Sequence, residues 1–585
     1  MVYHAKKIVK KYLARKQYTA QTVLSDLIAG ITVALILIPQ SLAYAQLAGL
    51  PSQYGLYAAF LPPVIASLFG SSRFLGSGPV AVISLLTASA LSSLPASSEA
   101  ELMGYAITLA LLVGVIQFLM GIFKLGMLVN FISHPVIIGF INAAALIIAT
   151  SQLPKLFGVS VDNYEHYYET MYNFLIAAIQ YIHWLSLFLA LLAFCIMYFL
   201  KRFNPRLPGM IIAVVVCTVI SIYFQFEKKT TISLQNISSA NIIQNIEKYN
   251  TIINTIEKKT QERLSHTQRR QEVTQETDSA LEILNIEADI AKLDFELEEI
   301  NHQALSYRRL IRSFNLSKAT DQNGKDYFVE INAGHGRTFF KPVWKINVGE
   351  NPINTEALSL HTGGSVVGKI PQGLPFISLP PFNLSTMSSL FSSALVIAVL
   401  GFMESIAIAR SLAVKVGDKI DANRELKAQG LANIASAITQ GFPISGSFSR
   451  TAVNFQSGAQ SPLSSVFTAF FVLITLLFFT PILSPLPQPV LAATIILSVV
   501  GLINFDKMVA IWKVNRNEGI IALLTFVSIL FFAPHLDKGI MLGIIIATGY
   551  YIYTRTRPRI VQLSADRQDI LHDIALYELT PGKHI

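Results

Sequence analysis

The feature that most constrains the fold is a series of apolar runs long enough to cross a lipid bilayer as helices. About 20 apolar residues span the hydrocarbon core. Fourteen segments qualify, seven on each side of a polar insert, although several contain Pro, Gly or polar residues. The sequence therefore predicts an all-α polytopic membrane protein with fourteen transmembrane segments. Their bounds are 27–48, 53–70, 78–93, 104–123, 127–150, 171–200, 208–225, 387–409, 427–440, 450–460, 463–483, 488–504, 518–534 and 538–554.

Charged residues are scarce outside the insert, which argues against a soluble enzyme. They make up 14% of the chain, whereas a typical soluble domain contains about 25%. Half of the 36 acidic residues lie between Glu227 and Glu350, and the net charge of +9 comes from the apolar remainder. Cys195 and Cys217 lie in apolar runs and indicate neither a disulfide nor a metal site. We therefore expect no enzymatic activity, no cofactor, no metal and no nucleic-acid partner, and a lipid bilayer as the environment.

The distribution of Lys and Arg predicts the orientation of the chain, because cytoplasmic loops are enriched in these residues. The short outer loops of a fourteen-pass topology contain only Lys155 and Lys538. We therefore expect a location in the plasma (inner) membrane, with both termini cytoplasmic and the insert extracytoplasmic. The inner segments, all rich in Lys and Arg, are 1–25, 201–206, 410–427, 505–516 and 555–559.

The polar insert contains two heptad patterns. Apolar residues recur at alternating intervals of three and four from Ile283 to Phe314, and a shorter pattern runs from Ile242 to Ile256. Such spacing is typical of helices that pack along one seam. We interpret the two seams as pairing with each other in a coiled-coil hairpin with a polar link at 265–278, followed by a small β element at 327–348. The alternative is a docking arm for an unidentified partner or a second protomer.

The two halves of the chain show weak internal symmetry. Residues 39–45 (PQSLAYA) and 403–409 (MESIAIA) lie in the first segment of each half, and residues 76–82 (GSGPVAV) and 447–453 (SFSRTAV) open the third. Seven passes is an odd number, so the second half must be inverted in the membrane. Paired, interrupted segments of this kind indicate a transporter binding site.

These interrupted segments favour an anion as the ligand. Short helices that begin near Pro79 and Thr451 would direct unsatisfied N–H groups and positive dipole ends toward the middle of the membrane. Arg450 adds a positive charge and a guanidinium suited to an oxyanion. The alternative for Arg450 is an ion pair with Glu404 or a position at the membrane edge, with its charged end in the interface.

Glu404 is the clearest ionisable residue inside an apolar segment. A charged group at membrane depth is costly unless it faces a cavity or a partner, so Glu404 is a functional candidate. The alternative is structural: a carboxylic acid that is hydrogen-bonded between helices or lies near a helix end, since Arg410 follows it.

Residues 27–86, beginning LIAGITVALILIPQSLAYAQL, and residues 441–465, GFPISGSFSRTAVNFQSGAQSPLSS, carry a family resemblance. They are similar to signature regions of the SulP sulfate-permease family, the solute carrier 26 group of anion transporters. The resemblance covers 27–226 and 370–560. It implies a seven-plus-seven inverted repeat, a homodimer, and a core domain that moves like an elevator against a gate domain. It also implies a coupling role for Glu404 and an anion site formed by Gln40, Gly78, Pro79, Val80, Ala81, Ser447, Phe448, Ser449, Arg450 and Thr451.

Two features depart from the family pattern. Residues 576–585 (LYELTPGKHI) look like the first strand of a cytoplasmic STAS domain that is truncated or absent. Sodium-coupled bicarbonate members carry Asp at the position of Glu404 and Thr four residues later, where this chain has Ile408, which offers no side-chain oxygen to a cation. We therefore expect proton coupling or anion exchange. The expected domains are the cytoplasmic N-terminus 1–25, first repeat 26–226, insert 227–369, second repeat 370–560 and STAS remnant 561–585.

The expected function is secondary active transport of an inorganic anion such as sulfate, bicarbonate or a related oxyanion. Residues 363–369 resemble a nucleotide-binding loop, but Pro371 prevents the helix that must follow, so no ATP-driven transport is expected. The alternatives are an anion channel, which would bind without coupling, and a nucleobase permease of the same fold. Arg450 argues against a neutral nucleobase.

Overall fold

A computed structural model describes most of the chain. It covers residues 19–92, 94, 99–126, 134–159, 161, 167–203, 208–276, 280–320, 326–331, 343–349, 351–375, 377 and 384–556. The expected STAS remnant 561–585, and most of the expected N-terminal segment 1–25, lie outside the described residues.

The described residues on both sides of the insert are predominantly helical. Before the insert the helices are α1 (Ala20–Leu47), α2 (Gln53–Phe69), α3 (Ala81–Ser92), α4 (Glu99–Ile122), α5 (His134–Ser151), α6 (Leu153–Phe157), α7 (Tyr167–Tyr181), α8 (Trp184–Phe203) and α9 (Gly209–Tyr223). The insert contributes α10 (Ala240–Glu276) and α11 (Ala280–Ser313). After it come α12 (Leu384–Val416), α13 (Ala422–Ile438), α14 (Phe448–Gln456), α15 (Leu463–Ile474), α16 (Thr480–Leu483), α17 (Gln488–Val500), α18 (Phe505–Val514), α19 (Arg516–Phe532) and α20 (Leu536–Thr556).

Several of these helices are apolar and long enough to cross a membrane. Within the described ranges six satisfy both conditions, or seven if one bent pair counts as a single span. Other apolar helices are too short to do so alone, such as α2, α3 and α9. The structure is thus that of a helical polytopic membrane protein, whereas the number of fourteen passes stays a prediction.

The segment 171–200, expected to be one span, is two helices. α7 and α8 meet at an angle of 108°. The physical reason is a capping interaction: the Nδ1 atom of His183 accepts a hydrogen bond from the backbone N–H of Ser186 (3.3 Å) and contacts its Oγ (2.8 Å). A side chain that caps the first turn of α8 starts a new helix, and apolar composition alone does not reveal it.

The insert combines the helical hairpin of α10 and α11 with an antiparallel sheet. Its five strands, numbered β2 to β6 in chain order, are arranged as β2-β6-β5-β3-β4. Their bounds are β2 (Glu227–Ile232), β3 (Leu316–Thr320), β4 (Asp326–Glu330), β5 (Trp344–Ile346) and β6 (Leu358–Gly363). The expected β element at 327–348 was therefore too small, because β2, β3 and β6 were missed. The expected polar link at 265–278 is also wrong, since α10 continues to Glu276.

Both heptad seams lie in one hydrophobic core with the sheet. Ile242, Ile246 and Tyr249 of α10 are buried in the same cluster as Leu297 and Ile311 of α11. Among the described residues, four ion pairs also connect the two helices, and they fix the register more than they add stability, since exposed pairs contribute little. They are Lys259–Glu296, Arg263–Asp294 (2.7 Å), Arg269–Glu282 (3.3 Å) and Arg270–Glu287 (3.0 Å).

The two halves of the membrane part are interlocked. Strand β1 (Gly76–Gly78) of the first half pairs antiparallel with β7 (Ser445–Ser447) of the second. Helices α4 and α13 also approach closely: a Cβ atom at Gly114 would lie 2.7 Å from the backbone nitrogen of Ile434, and one at Gly430 would lie 2.5 Å from that of Phe118. Glycine therefore permits this contact, as small residues commonly do between membrane helices.

The core of the insert gives a stability prediction. Phe328 is 1% exposed, and its truncation to Ala leaves a cavity, so Phe328→Ala should reduce the local stability of the insert by about 3–5 kcal/mol. Hydrogen exchange of the strand amides in the purified protein measures this change. Val329→Ala, on the partly exposed opposite face of β4, is the matched control and should change exchange little. Equal protection in all three proteins would contradict this description of the core.

Candidate functional site

The two strands β1 and β7 form a short ribbon from which two short helices begin. Gly76 lies opposite Ser447, and Gly78 lies opposite Ser445. Helix α3 begins shortly after β1, and α14 follows β7 directly, so the two antiparallel strands place two helix N-termini at opposite ends of one small ribbon. Unsatisfied N–H groups and positive dipole ends are therefore concentrated in this region.

The second short helix begins earlier than expected. The sequence suggested a start near Thr451, whereas α14 starts at Phe448. The reason is the Ser447 side chain, which accepts a hydrogen bond from the backbone N–H of Arg450 (3.4 Å) and caps the helix. Arg450 thus lies within the first turn of α14.

Arg450 connects the two halves of the chain. Its Nη1 atom donates a hydrogen bond to the carbonyl oxygen of Pro79 (2.7 Å), which lies between β1 and α3. The side chain is only 1% exposed, so it does not extend to the membrane edge. Its Nε and Nη2 atoms have no hydrogen-bond acceptor among the described residues. A buried guanidinium with two unused donors has the chemistry of an anion ligand.

Glu404 lies near this guanidinium without a direct ion pair in the described part of the chain. It occupies the interior of α12, so the helix-end alternative is wrong, and its carboxyl group lies within electrostatic range of the Arg450 guanidinium. The next residue, Ser405, anchors β7: its Oγ accepts a hydrogen bond from the Gly446 N–H (2.9 Å). Glu404 is half-buried, which leaves part of its side chain accessible. A carboxylate in this position is suited to sense the charge bound beside Arg450.

Gln40 lies on the first helix and is linked to a neighbouring helix. Its Nε2 atom donates a hydrogen bond to the Oγ of Ser498 on α17 (3.3 Å), and its Oε1 atom has no partner among the described residues. One turn later on α1, Tyr44 is buried, and its side chain is hydrogen-bonded to the same Ser498. The sequence analysis missed Tyr44 as a site residue, although its spacing of four from Gln40 puts both on one helix face.

The remaining predicted site residues differ in their contacts and in their exposure. Thr451 connects the two strands: its Oγ1 atom accepts a hydrogen bond from the Gly76 N–H (3.0 Å) and donates one to the Ser447 carbonyl (2.6 Å). Gly78 has a φ angle of 144°, a conformation that favours glycine. The buried apolar residues are Val80 and Ala81, and the exposed residues at the start of α14 are Phe448 and Ser449. The exposed pair marks the accessible side of the site.

A polar face of α13 holds the segments that lead into both strands. Glu425, Gln429, Asn433 and Ser436 follow one another at helical spacing and are all buried. Glu425 accepts hydrogen bonds from the backbone N–H groups of Ser71 and Ser72 (2.9 and 3.3 Å). Gln429 donates to the Oγ of Ser77 (2.9 Å). The first half of the site is thereby tied to α13.

Asn433 holds the second half of the site in the same way. Its Oδ1 atom accepts a hydrogen bond from the Ile444 N–H (2.8 Å), and its Nδ2 atom donates to the Ile444 carbonyl (3.2 Å) and to Oε1 of Gln117 on α4 (2.9 Å). This polar face was not predicted, although polar residues recur at intervals of three and four along the segment.

The described residues offer no metal centre. They contain no group of three or more His, Cys, Asp or Glu side chains that could hold a metal ion. A cavity of about 10 Å³ lies against Arg450, Ser77 and Asn454, and a space of this size accommodates about one water molecule. An oxyanion is larger than this cavity, so the cavity as it stands does not hold one.

Known proteins with similar sequences and structures are membrane transporters. Residues 23–266 and 352–525 match the sequence profile of the sulfate permease family. The chain is 29% identical over 539 residues to the chloroplastic sulfate transporter 4.1 of Arabidopsis thaliana, covering 92% of this chain and 59% of that protein. A probable sulfate transporter of the same plant is 30% identical over 539 residues, covering 92% and 60%. The chain thus spans about three fifths of the length of these curated relatives.

A solved structure shows the same fold. The murine solute carrier 26 family member A9 anion transporter, in its inward-facing state, superposes with a TM-score of 0.64 at 21% identity, covering 93% of this chain and 71% of that chain. The fold is therefore a helical polytopic membrane fold of this kind.

Asn433 provides a test of how the site is held together. Asn433→Ala removes the partners of the Ile444 N–H and of the side-chain Oε1 of Gln117, and an unsatisfied buried polar group costs about 1–3 kcal/mol. The apparent melting temperature of the purified protein should fall by several degrees. Lys427→Ala, an exposed position on the same helix, should leave it unchanged. A melting temperature equal to that of the wild type would refute the anchoring role of Asn433.

Proposed function

The chain belongs to the sulfate permease family, and we propose that it is a secondary active transporter of sulfate, bicarbonate or a related small oxyanion. The observation that carries the proposal is the buried guanidinium of Arg450, with two unused donors, between two helix N-termini. The relatives support it, since those with similar sequences are named sulfate transporters.

The charge balance of the site supports an anion over a neutral ligand. An isolated charge buried away from water is strongly unfavourable, and the carbonyl of Pro79 alone offsets only part of that cost. A bound anion would supply the opposite charge and accept hydrogen bonds from Nε and Nη2 of Arg450. A neutral nucleobase would leave the charge unbalanced, which weakens the nucleobase-permease alternative. Gln40, Tyr44, Ser447 and Ser449 would complete the set of polar groups around the ligand.

The position of Glu404 supports proton coupling or anion exchange. Protonation of this carboxyl would remove a negative charge that competes with the substrate for the field of Arg450, so proton and anion binding would favour each other. Four residues later Ile408 provides no side-chain oxygen, which argues against a sodium site. An uncoupled anion channel is the alternative, and only a coupled transporter accumulates its substrate against a gradient.

We further propose the architecture that this activity needs. The residues before and after the insert would form two inverted repeats of seven passes, with the β1–β7 ribbon in a core domain that moves like an elevator against a gate domain. Both termini would be cytoplasmic in the plasma (inner) membrane, the insert extracytoplasmic, and the assembly a homodimer. The bias of Lys and Arg toward the predicted inner segments supports this orientation.

Substitution of Arg450 tests the anion site. Arg450→Gln removes the charge, and the loss of a charged hydrogen bond worth about 1.5–3 kcal/mol should raise the KM for sulfate about 10-fold to 150-fold. Uptake of radiolabelled sulfate into proteoliposomes measures this value, with bicarbonate and chloride as competitors. Arg450→Lys keeps the charge and should show a smaller rise. Arg410→Gln, exposed on α12, is the matched control, and an unchanged KM in Arg450→Gln would disprove the proposed site.

Substitution of Glu404 tests the coupling. An imposed inward proton gradient should accelerate sulfate uptake by the wild type, whereas Glu404→Gln, which cannot release a proton, should lose that acceleration. Asp506→Asn, at an exposed position, should behave like the wild type. Full uptake driven by a sodium gradient at equal internal and external pH would overturn the coupling proposal while leaving the anion site intact.

A further inference from the structure

Helix α11 carries a second apolar stripe that its own hairpin does not use. The stripe consists of Leu281, Leu284, Ala288, Ala291 and Phe295, spaced by alternating intervals of three and four. Leu281, Leu284 and Phe295 are 73%, 65% and 69% exposed, and both alanines are exposed. At about 100° per residue, the stripe lies on the side of α11 opposite the buried seam of Leu293 and Leu297. The seam facing α10 therefore accounts for only one of two apolar faces.

A regular apolar stripe of this length is unusual on a solvated helix. Scattered exposed apolar residues need no explanation, whereas contiguous patches mark interaction surfaces. The heptad spacing further specifies the kind of partner, because such stripes pack against another helix. The hairpin that carries it is long: α10 has 37 residues, equivalent to about 55 Å. The stripe lies in the half of the hairpin that is farther from the sheet.

We propose that this stripe docks antiparallel onto the same stripe of a second copy of the chain. With the twofold axis between Ala288 and Ala291, each of these alanines faces the other alanine of the second copy. The same register places each Leu284 opposite a Phe295 of the second copy. Small residues at the centre let the helices approach closely, and a large pair on each side fills the space beside them. The four residues from Leu284 to Phe295 are therefore complementary to their own copies in size.

The charges beside the stripe also match in this arrangement. Asp289 and Lys292 are exposed, and Lys292 also lies within electrostatic range of Glu296 on its own helix. The antiparallel register brings Lys292 of one copy beside Asp289 of the other, twice per dimer. On the other edge, Glu287 and Asp294 are already paired with Arg270 and Arg263 of α10. These two paired carboxylates therefore oppose docking less than free like charges at a helix interface would.

Docking through α11 uses no residue of the anion site, so it stands independently of the proposed transport activity. A protein that transports no anion can still dock, and a transporter can function without docking. The two proposals therefore fail in different assays.

Site-directed crosslinking tests the docking. The full chain, with Cys195 and Cys217 replaced by Ser and Ala, carries the single change Ala288→Cys and is reconstituted in liposomes, so that a crosslink joins two copies. A short bis-maleimide bridges helix axes about 8–10 Å apart and should convert most of the protein to a covalent dimer. Sulfate uptake and elution as a single folded species are checked in parallel. Absence of the dimer in folded protein would overturn the proposal.

Four further variants in the same background separate this arrangement from others. Phe295→Glu should lower the crosslinked fraction at least tenfold, whereas Leu264→Glu, exposed on α10 outside the stripe, should leave it unchanged. Lys292→Asp should weaken crosslinking, and the added change Asp289→Lys should restore it. An unaffected dimer in Phe295→Glu, failure of the charge exchange to restore crosslinking, or adducts only with a different protein in cells would each contradict self-docking.

Discussion

The hydrogen bond from Arg450 to the Pro79 carbonyl is the interaction on which the rest of the site depends. It joins the first turn of α14 to the residue that precedes α3, and so links two helices from different halves of the chain. With one acceptor among the described residues, the buried guanidinium is far from satisfied, which makes the region unfavourable until an opposite charge arrives. In the proposed transporter the unpaired positive charge of Arg450 is the source of affinity for the anion, because the anion completes a charge pair that the folded chain leaves open. An anion that binds the folded site then also stabilises that site against unfolding.

Such a site binds an anion only if the surrounding backbone carbonyl groups do not move in and occupy the free donors of Arg450. The buried polar face of α13 prevents this by holding both approaches to the ribbon: Gln429 fixes Ser77 in the first half, and Asn433 fixes Ile444 in the second. Hydrogen bonds of this kind are worth more in an apolar interior than at a surface, and a missing member is correspondingly costly. One helix therefore sets the spacing between two segments that are far apart in sequence. Glu404 lies on the neighbouring helix α12, whose Ser405 holds β7 directly.

The sequence was informative where structure follows from local pattern or internal repetition. The repeat led to the pairing of the segments at Pro79 and Arg450, and the heptads predicted which faces of the insert helices are buried. Prediction failed where a single side chain overrides the pattern, as when Ser447 starts α14 three residues early and His183 starts α8. It also failed where partners are distant: β2 is short and polar, and it pairs with β6 across about 130 residues. A polar face on an apolar helix, such as that of Asn433, is recognised as functional only when its partners are known.

The sequence separation of the two strands has a consequence for biosynthesis. Arg450 follows Pro79 by 371 positions, so at about 5–20 residues per second the ribosome needs roughly 20–70 seconds to make the second partner after the first. During that time the nascent chain contains β1 and α3 without the backbone partners of β1, and the whole insert is synthesised before β7 exists. Insertion machinery must therefore shelter the first half while translation continues. Slow elongation or premature release at this stage would leave a half-protein with an open strand, a substrate for membrane quality control.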